Sequence, residues 1–388
     1  MMHYPEKNGA YYEFDMGRIE ARLRHLRSLL GEEIALAYAV KANTFIIEDM
    51  IPWVERFEIC SPGESAICDM LGVPTEKTVI SGVYKTPGFI RQLVAETEGR
   101  IYTVESMTQF RLLRELAGEY NKKLSILIRL TNDSQFGINE SELVDIIAKR
   151  QEYPLLHIQG IQLFSGTQKT SLKKLARELR MLDGLLEKLS TEYGYDAEEL
   201  EYGPGFPVAY FRDETLDEPA LITGFAGLLT EMPHRPPRIT LELGRSIAAC
   251  CGRYYTHIVD KKCNKNQNYL LVDGGMHHIV YFGQYMGMKH PMVQVVGREA
   301  DPAGESWNIC GSLCSMNDII AKAVPLPEVA IGDTLCFENT GAYCMTEGIS
   351  LFLTRELPAV WLIRPDGSRI CVREPYETCA LNAPKQVQ

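Results

Sequence analysis

The chain lacks the features that usually mark metal, membrane and nucleic-acid proteins. Its 11 cysteines include no CxxC pair and its 8 histidines no HExxH pattern, so we expect no dedicated metal site. No apolar run approaches the ~18 residues that a membrane-spanning helix needs. Lys and Arg number 40 against 51 Asp and Glu, and the resulting net charge of −11 argues against nucleic acid or a membrane surface as a general partner.

Signals of secretion and of sequence repetition are also missing. Residues 1–12 contain no apolar segment of the kind that a signal peptide requires, and an odd number of scattered cysteines is typical of reduced thiols. We therefore expect a cytoplasmic protein. No sequence period is detectable. The composition, 45% hydrophobic and 23% charged over 388 residues, is that of a globular protein.

Short apolar runs alternate with longer amphipathic stretches over the first part of the chain. Such alternation predicts βαβ units. Eight runs favour a closed (β/α)8 barrel, which takes ~250 residues, over a doubly wound sheet, whose usual GxGxxG turn is missing. The eight predicted strands are Ile34–Ala42, Arg56–Cys60, Lys77–Ser81, Arg100–Val104, Leu124–Leu130, His157–Leu163, Glu198–Tyr202 and Arg238–Glu242.

After about Arg245 the pattern changes to strands that follow one another with little helix between them. We predict a barrel over 16–248 and a mainly antiparallel β domain over 249–388, with a strand in 1–15 that joins the β domain. A Pro-Asp-Gly-Ser turn at 365–368 favours a hairpin there. The predicted strands of this domain are Tyr254–Val259, Tyr269–Val272, Met292–Val296, Thr334–Glu338, Val360–Arg364 and Arg369–Arg373, together with Tyr11–Phe14.

Polar side chains that are costly within apolar strands fall at the predicted carboxyl ends, where such barrels carry their chemistry. Lys41 closes the first run and must be paired, deprotonated or covalently used, unless its stem simply reaches solvent. Glu242 lies between two leucines in the eighth run and would suit a buried cation or a protonated ring nitrogen. Arg129 is the alternative partner for Glu242, and this arginine itself requires a buried anion.

Two loops after predicted strands are rich in small residues, Phe164–Gln168 and Gly203–Gly205. Backbone N–H groups at small residues can close around an anion such as phosphate, although Gly-Pro-Gly also fits a plain tight turn. Pyridoxal phosphate needs a lysine, a phosphate cup and an acid that faces its pyridine nitrogen. Lys41, the Gly203–Gly205 turn with Arg245, and Glu242 supply these three parts, so we predict a pyridoxal-phosphate site.

At these positions the sequence resembles the fold-type III pyridoxal-phosphate decarboxylases, the family of diaminopimelate and ornithine decarboxylases, of which it would be a divergent member. The resemblance implies an alanine racemase-like fold, amino-acid decarboxylase (lyase) activity, and a homodimer with shared active sites. It extends from about Tyr11 to Arg373. It rests on YAVKAN at 38–43, CSPGE at 60–64, GPGFP at 203–207, ELGR at 242–245, VDGG at 272–275, CGSLCSMND at 310–318 and GAY at 341–343.

The resemblance also implies a role for each matching residue. Lys41 would bind the cofactor covalently, and Cys314 of the partner subunit would protonate the substrate carbanion. Glu242 would hold the pyridine nitrogen protonated, and Phe164 would stack on the ring where the family usually has a histidine. The phosphate would be held by Thr167, Gly203, Gly205, Arg245 and Tyr343.

Departures from the family pattern bear on the substrate. The acid that usually binds a distal ammonium after the catalytic cysteine is replaced here by Ser315, and Asp318 would face Gln135 across the dimer in place of a lysine. We expect Ser315 and Asp318 to lie beside the substrate. An unpaired buried ammonium is costly, so we expect lysine, ornithine and diaminopimelate to be poor substrates. The expected substrate is an amino acid or derivative with a neutral, acylated or tethered far end. Specialised biosynthetic members that act on carrier-bound amino acids show similar departures, although the net charge of −11 argues somewhat against an acidic carrier protein.

Three alternatives stay open on the sequence alone. A conventional diaminopimelate, lysine or ornithine decarboxylase would accept free diamino acids. An amino-acid racemase shares the lysine-bearing strand, but it uses a tyrosine as second base, which CSMND at 314–318 does not match. A non-catalytic regulatory homologue would explain the changes at Gln135, Phe164 and Ser315, but drift would not specially preserve Lys41 and Glu242.

Overall fold

The computed structural model describes residues 9–384, and the chain forms two compact units. One unit consists of residues 23–207 and 217–247. The other takes the described residues up to Arg22, beginning with strand β1 (Tyr11–Asp15), then 208–216 and those from Ala248 onward. The segment 208–216, which the sequence placed in the barrel, groups with the second unit because Phe211 bridges to Pro291 and the Arg212 N–H donates to the His290 carbonyl.

The first unit is a closed barrel of eight parallel strands in chain order, which confirms the predicted (β/α)8 architecture. The barrel closes between its first and last strands, where Ala35 lies opposite Thr240 and Tyr38 opposite Leu243. The strands are β2 (Ala35–Ala39), β3 (Arg56–Ile59), β4 (Thr78–Ile80), β5 (Ile101–Val104), β6 (Leu124–Arg129), β7 (Leu156–Phe164), β8 (Glu199–Gly203) and β9 (Arg238–Leu243).

Helices follow the strands and begin where capping side chains satisfy their first N–H groups. Ser61, Ser106 and Ser171 each accept a hydrogen bond from the N–H three residues on. Buried leucines recur along the long seventh helix at the three- and four-residue spacing that the sequence showed. The helices are α1 (Met16–Leu30), α2 (Ile47–Met50), α3 (Pro62–Met70), α4 (Pro87–Glu96), α5 (Met107–Tyr120), α6 (Glu140–Ala148), α7 (Leu172–Tyr193), α8 (Glu218–Thr230), α9 (Arg245–Ala248) and α10 (Cys379–Asn382).

Charged side chains fill much of the barrel interior. Arg56 lies 2.7 Å from Glu199 and 2.5 Å from Glu201, and all three side chains are almost fully buried. Arg129 pairs with Glu105 at 3.0 Å, which confirms that this arginine has a buried anion as partner. Buried charges are tolerated only when they are paired and hydrogen-bonded, so these clusters fix the strands relative to one another.

The second unit is a nine-stranded sheet in the order β14-β13-β11-β10-β1-β16-β17, with β15 paired to β10 and β12. Among its paired strands, β1–β16 and β11–β13 are parallel and the others antiparallel, so the predicted mainly antiparallel domain, joined by the Tyr11–Phe14 strand, is confirmed. Its later strands are β10 (Gly252–Asn264), β11 (Gln267–Val272), β12 (Val293–Val295), β13 (Ser306–Cys310), β14 (Ile319–Pro325), β15 (Thr334–Glu338), β16 (Ala359–Ile363) and β17 (Arg369–Arg373).

Within residues 9–384, no helix has both the length and the apolar character needed to cross a membrane. In the same residues, no group of three or more His, Cys, Asp and Glu side chains is placed to hold a metal ion.

Candidate active site

Lys41 lies in a single helical turn, Val40–Ala42, directly after β2. Its Nζ is 2.7 Å from Glu58 Oε2 and 3.5 Å from Cys60 Sγ, both at the end of the neighbouring strand β3. The Lys41 side chain is 43% exposed whereas that of Glu58 is 4% exposed. Burial alone would raise the pKa of Glu58, but the charge and hydrogen bond of Lys41 outweigh it and hold that pKa below its usual value. Glu58 is therefore an anion that holds the lysine amine.

Cys60 lies between these two groups as a neutral thiol. Burial and then the charge of Glu58 raise the pKa of Cys60, and its Sγ lies 3.5 Å from Glu58 Oε1. Its backbone N–H donates to the carboxylate of Glu64, which fixes the turn into α3. Neither Glu58 nor Cys60 was among the residues predicted from the sequence, although a glutamate between Phe57 and Ile59 was a visible signal.

Glu242 is buried near the end of β9, and its pKa is shifted in the opposite direction from that of Glu58. Burial, and then the negative charges of Glu58 and Glu201, raise the pKa of Glu242 well above its ordinary value. The side-chain amide of Gln162 on β7 donates to it. Since Arg129 pairs with Glu105, a plain ion pair between Arg129 and Glu242 is not formed. A buried neutral carboxyl group can offer a proton to a ring nitrogen, as a pyridine cofactor requires.

The loops after β7 and β8 are joined through glycine. Gly205 has φ +63°, and a Cβ at this position would lie 2.0 Å from the Gly166 carbonyl oxygen. The Lys169 N–H donates to the Gly205 carbonyl at 2.9 Å. Gly166 itself has φ +126° and no heavy atom within 4 Å of the place where a Cβ would stand. The two loops thus close on one side and leave open space on the other, which is the shape of an anion cup.

Arg245 and Thr167 bring polar groups to this cup. Arg245, at the start of α9, is buried, and its Nε lies 3.4 Å from Thr167 Oγ1 in the loop after β7. A guanidinium and a hydroxyl that converge beside glycine-rich loops suit a phosphate.

Phe164 is the last residue of β7 and lies opposite Gly203 of β8. A Cβ on Gly203 would be 2.2 Å from the Phe164 ring. Only glycine at 203 therefore leaves room for the phenyl ring. The sequence predicted Gly203 as a phosphate ligand, and the structure gives it this further reason to be glycine.

The residues of the barrel fit pyridoxal phosphate in three respects. The Lys41 amine lies beside the Glu58 anion, and Glu242 is a buried neutral acid. The glycine cup, with Thr167 and Arg245, lies in the loops after β7 and β8. All of the barrel residues predicted for the site lie at the carboxyl ends of strands, as the fold requires. They are Lys41, Phe164, Thr167, Gly203, Gly205, Glu242 and Arg245.

The other predicted residues belong to the sheet unit. Cys314 and Ser315 lie in the loop between β13 and β14, where the Cys314 side chain is exposed and the Ser315 hydroxyl accepts from the Asn317 N–H at 3.2 Å. Tyr343 lies in the loop after β15 with φ +64°, and its carbonyl accepts from the N–H groups of Thr346 and Glu347.

Asp318, at the end of the same loop, is held by the backbone of its own unit. It is 2% exposed, and its two carboxylate oxygens accept the N–H groups of Met276 at 2.7 Å and Leu313 at 2.8 Å. A Cβ on Gly275 or Gly311 would lie within 2.7 Å of this carboxylate, so the packing around it is tight. Asp318 therefore positions the loop that carries Cys314.

The comparisons with known proteins agree with this geometry. A family model described as pyridoxal-dependent decarboxylase, pyridoxal binding domain, matches residues 16–249. The chain is 28% identical to an L-glutamyl-[BtrI acyl-carrier protein] decarboxylase of Niallia circulans, over 94% of this chain and 90% of that protein. It is 25% identical to a 2-[(L-alanin-3-ylcarbamoyl)methyl]-2-hydroxybutanedioate decarboxylase of Staphylococcus aureus, over 86% of this chain and 88% of that protein.

A solved structure shows the same fold. The crystal structure of diaminopimelate decarboxylase from M. jannaschii with L-lysine superposes with a TM-score of 0.85 at 21% identity, covering 97% of this chain and 92% of that one. A barrel with a lysine, a buried acid and a phosphate cup at its strand ends defines a pyridoxal-phosphate enzyme. The family match is more specific, and the chain belongs to the pyridoxal-dependent decarboxylases. It is an amino-acid decarboxylase that uses pyridoxal phosphate.

Proposed function

We propose that the enzyme decarboxylates an amino acid or derivative that has no free distal ammonium, and that this substrate is presented by a carrier protein. Two of its relatives are named for derivatised amino acids, one a glutamyl group on an acyl-carrier protein and the other an alanin-3-ylcarbamoyl compound. The α-carboxylate must stay free in order to leave, so the tether belongs on the side chain of the substrate.

One observation carries the exclusion of diamino acids. Asp318 is the only acid in the loop 311–318; it is 2% exposed, and each of its oxygens accepts a backbone N–H group. Ser315, which follows Cys314, is uncharged. The loop therefore offers no exposed carboxylate to a distal ammonium, whose burial without a partner would be strongly unfavourable. A thioester or amide at the far end has no such requirement.

The cofactor, when bound, supplies the electron sink for the bond between Cα and the departing carboxylate. Lys41 would hold the cofactor, and Glu58 would orient the amine and balance its charge. Glu242 would keep a proton at the pyridine nitrogen, and Gln162 fixes the orientation of that carboxyl group. Thr167, Gly203, Gly205 and Arg245 would bind the phosphate, with Tyr343 added from the sheet unit, and Phe164 would face the ring.

Protonation at Cα is assigned to Cys314 within the same proposal. Its thiol is exposed on a loop that Asp318 braces, so it can reach a group outside its own unit. We assign it to the active site of the partner subunit in a homodimer, as the family resemblance implies. A cytoplasmic location is part of the proposal and is supported by the 11 cysteines, all of them free thiols.

The test is carbon dioxide release from a matched panel of substrates. The panel holds L-lysine, L-ornithine, diaminopimelate and L-glutamate in free form, and glutamate joined through its side-chain carboxyl to pantetheine or to an acyl-carrier protein. We expect turnover of the tethered compounds only. Efficient turnover of any free diamino acid, on the order of 10⁴ M⁻¹s⁻¹ or above, would contradict the proposal.

A further inference from the structure

The first half of α7 presents an exposed group of basic side chains. Successive residues of a helix are rotated by about 100°, so Lys173, Lys174, Arg177 and Arg180 lie on one side together with the 43% exposed Met181. We call the four basic residues the α7 basic face. The opposite side packs into the barrel unit through Leu175, Leu179, Leu182, Leu185, Leu186 and Leu189.

The charges of the α7 basic face have no partners within the described residues 9–384. None of the four side chains forms an ion pair there, and no acid lies in the first turn of α7. The one acid in this stretch, Glu178, is directed inward and binds Lys169 at 2.8 Å. Cations near a helix N-terminus also oppose the helix dipole. The stability of the fold does not explain this arrangement, whereas an anionic partner would.

The α7 basic face lies on the catalytic side of the barrel. Helix α7 begins directly after the loop that contains Gly166 and Thr167, and Ser171 of that loop caps it. Lys188, near the other end of α7, pairs with Glu140, the first residue of α6. The N-terminal part of α7 therefore extends beyond the start of α6, on the side where the strands end.

A cavity of about 230 Å³ adjoins the basic face between α7 and α8. Its lining combines Ala176, Leu179, Leu228 and Met232 with three charged residues, Arg180, Asp183 and Glu231. Because two of these three are acids, the cavity marks where the cationic surface ends.

We propose that the α7 basic face is the docking surface for an acidic carrier protein that delivers the substrate. This inference rests on the proposed function and names its partner. A chain with a net charge of −11 repels an acidic partner overall, so association requires a local cationic surface that steers and orients it. The α7 basic face supplies that surface beside the loop that forms the phosphate cup.

Charge reversal with a matched control tests the docking surface. The test variant is K173E/R177E, and the control is K123E/K149E, which makes the same charge change at two exposed lysines, one before β6 and one after α6, at the opposite end of the barrel. Binding of a fluorescently labelled, unloaded acidic acyl-carrier protein is titrated by anisotropy at low and high salt. We expect binding by K173E/R177E to weaken on the order of 10-fold or more, and that of the control by less than about 2-fold.

Kinetics provide the second measurement. With carrier-bound glutamate, K173E/R177E should raise KM on the order of 10-fold and leave kcat unchanged, while all three proteins should act equally on pantetheine-linked glutamate. Equal carrier binding by the three proteins would overturn the docking proposal, as would wild-type binding that is absent or insensitive to salt. Binding to duplex DNA or to phosphatidylserine vesicles is measured in the same way. If K173E/R177E loses this binding as strongly as it loses carrier binding, the docking proposal is also overturned, because the α7 basic face would then be a general anion site.

Failure of the proposed function gives a different result. If pantetheine-linked and carrier-bound glutamate are both inert while a free amino acid is decarboxylated, the substrate assignment is wrong, and the titration with unloaded carrier still decides the docking surface. If carrier-bound glutamate is turned over with the same KM by all three proteins, the proposed function is supported and the α7 basic face is not the docking surface.

Discussion

Two buried carboxyl groups at the same end of the barrel have opposite charge states. Glu58 accepts a hydrogen bond from Lys41 at 2.7 Å and its pKa is lowered, whereas burial and neighbouring negative charges raise the pKa of Glu242 far above the usual value. Environments that separate the pKa values of neighbouring acids are how enzymes assign a proton donor and an anion. In the proposed function the Glu58 anion would serve the lysine, and Glu242, with its raised pKa, would serve the ring nitrogen.

Glu242→Gln should uncouple cofactor binding from catalysis. An amide cannot hold a proton at the pyridine nitrogen, so kcat should fall about 10²–10³-fold. The phosphate groups of the site are unchanged, and pyridoxal phosphate should still bind, as measured by its visible absorbance. Full activity of the variant would contradict the assigned role. Glu76→Gln, at an exposed position, is the control and should behave as the wild type.

The same variant should alter the pH dependence of stability in the cofactor-free enzyme. A carboxyl group whose pKa is raised by folding stabilises the fold most below its unfolded pKa, and that contribution is lost as the pH rises through the folded value. The wild type should therefore lose stability relative to Glu242→Gln as the pH rises above the ordinary range of a glutamate, measured by urea unfolding. Parallel stability curves for the two proteins would show that Glu242 is not a buried neutral acid.

At the residue scale the sequence predicted individual positions better than partnerships. Lys41 and Glu242 stood out because charge inside an apolar strand is costly, and Arg129 was rightly expected to have a buried anion. Glu58 carried the same signal, but its contact with Lys41 depends on the register of β2 against β3, in which Ala39 lies opposite Glu58. The backbone contacts of Asp318 were not predicted, because one of the N–H groups that it accepts lies 42 residues away in the sequence.

At the scale of elements, the site depends on how closely two loops approach. Gly205 has a positive φ and contacts the Gly166 carbonyl so closely that no side chain fits. Gly184 in α7 is different, since nothing lies within 4 Å of where its Cβ would be. One Gly→Ala change should therefore break the phosphate cup, while the other only removes a flexible residue from a helix.

Gly205→Ala should weaken pyridoxal-phosphate binding by at least about 10-fold and lower the thermal midpoint, because the left-handed backbone and the 2.0 Å contact must both be relieved. Gly184→Ala should instead stabilise the protein by about 0.5–1 kcal/mol and leave cofactor affinity unchanged. Cofactor titration and thermal unfolding measure both effects. Equal behaviour of the two variants would mean that the close approach of the loops is not required for binding.

Prediction of the elements was good where the hydrophobic pattern was strong. Each barrel strand was predicted to within a few residues of its observed bounds. Strands β13 and β14 were missed. Their pairing is interrupted by register shifts, and Ala323 in β14 has φ +50°, so β14 shows no regular two-residue alternation of apolar and polar side chains. Strand β13 does alternate, but over only five residues. Pairing with β11 fixes β13, and a contact across the sheet is not visible in a local pattern.

At the scale of the whole molecule, the predicted catalytic groups are divided between the two units. Lys41 and Glu242 belong to the barrel, and Cys314 and Tyr343 belong to the sheet unit, which contains both the first described strand and the later part of the chain. The proposed reaction needs groups from both units. The proposed homodimer with shared sites would bring Cys314 to the barrel of the partner subunit, and this arrangement can be separated experimentally from one in which each chain uses its own cysteine.

Mixed dimers of two inactive variants distinguish a cysteine that acts across subunits from one that acts within its own chain. Lys41→Ala and Cys314→Ala should each reduce activity by more than about 10²-fold, since one removes the cofactor lysine and the other the proton donor. A heterodimer isolated with two affinity tags contains one complete site if Cys314 acts across subunits, so its activity should be about half that of the wild type. If the cysteine acts within its own chain, both sites are defective and the heterodimer is inactive.

A heterodimer of wild type with Lys41→Ala is the control, because half activity is expected from it in either case. A monomer in sedimentation at assay concentration would contradict the shared site outright.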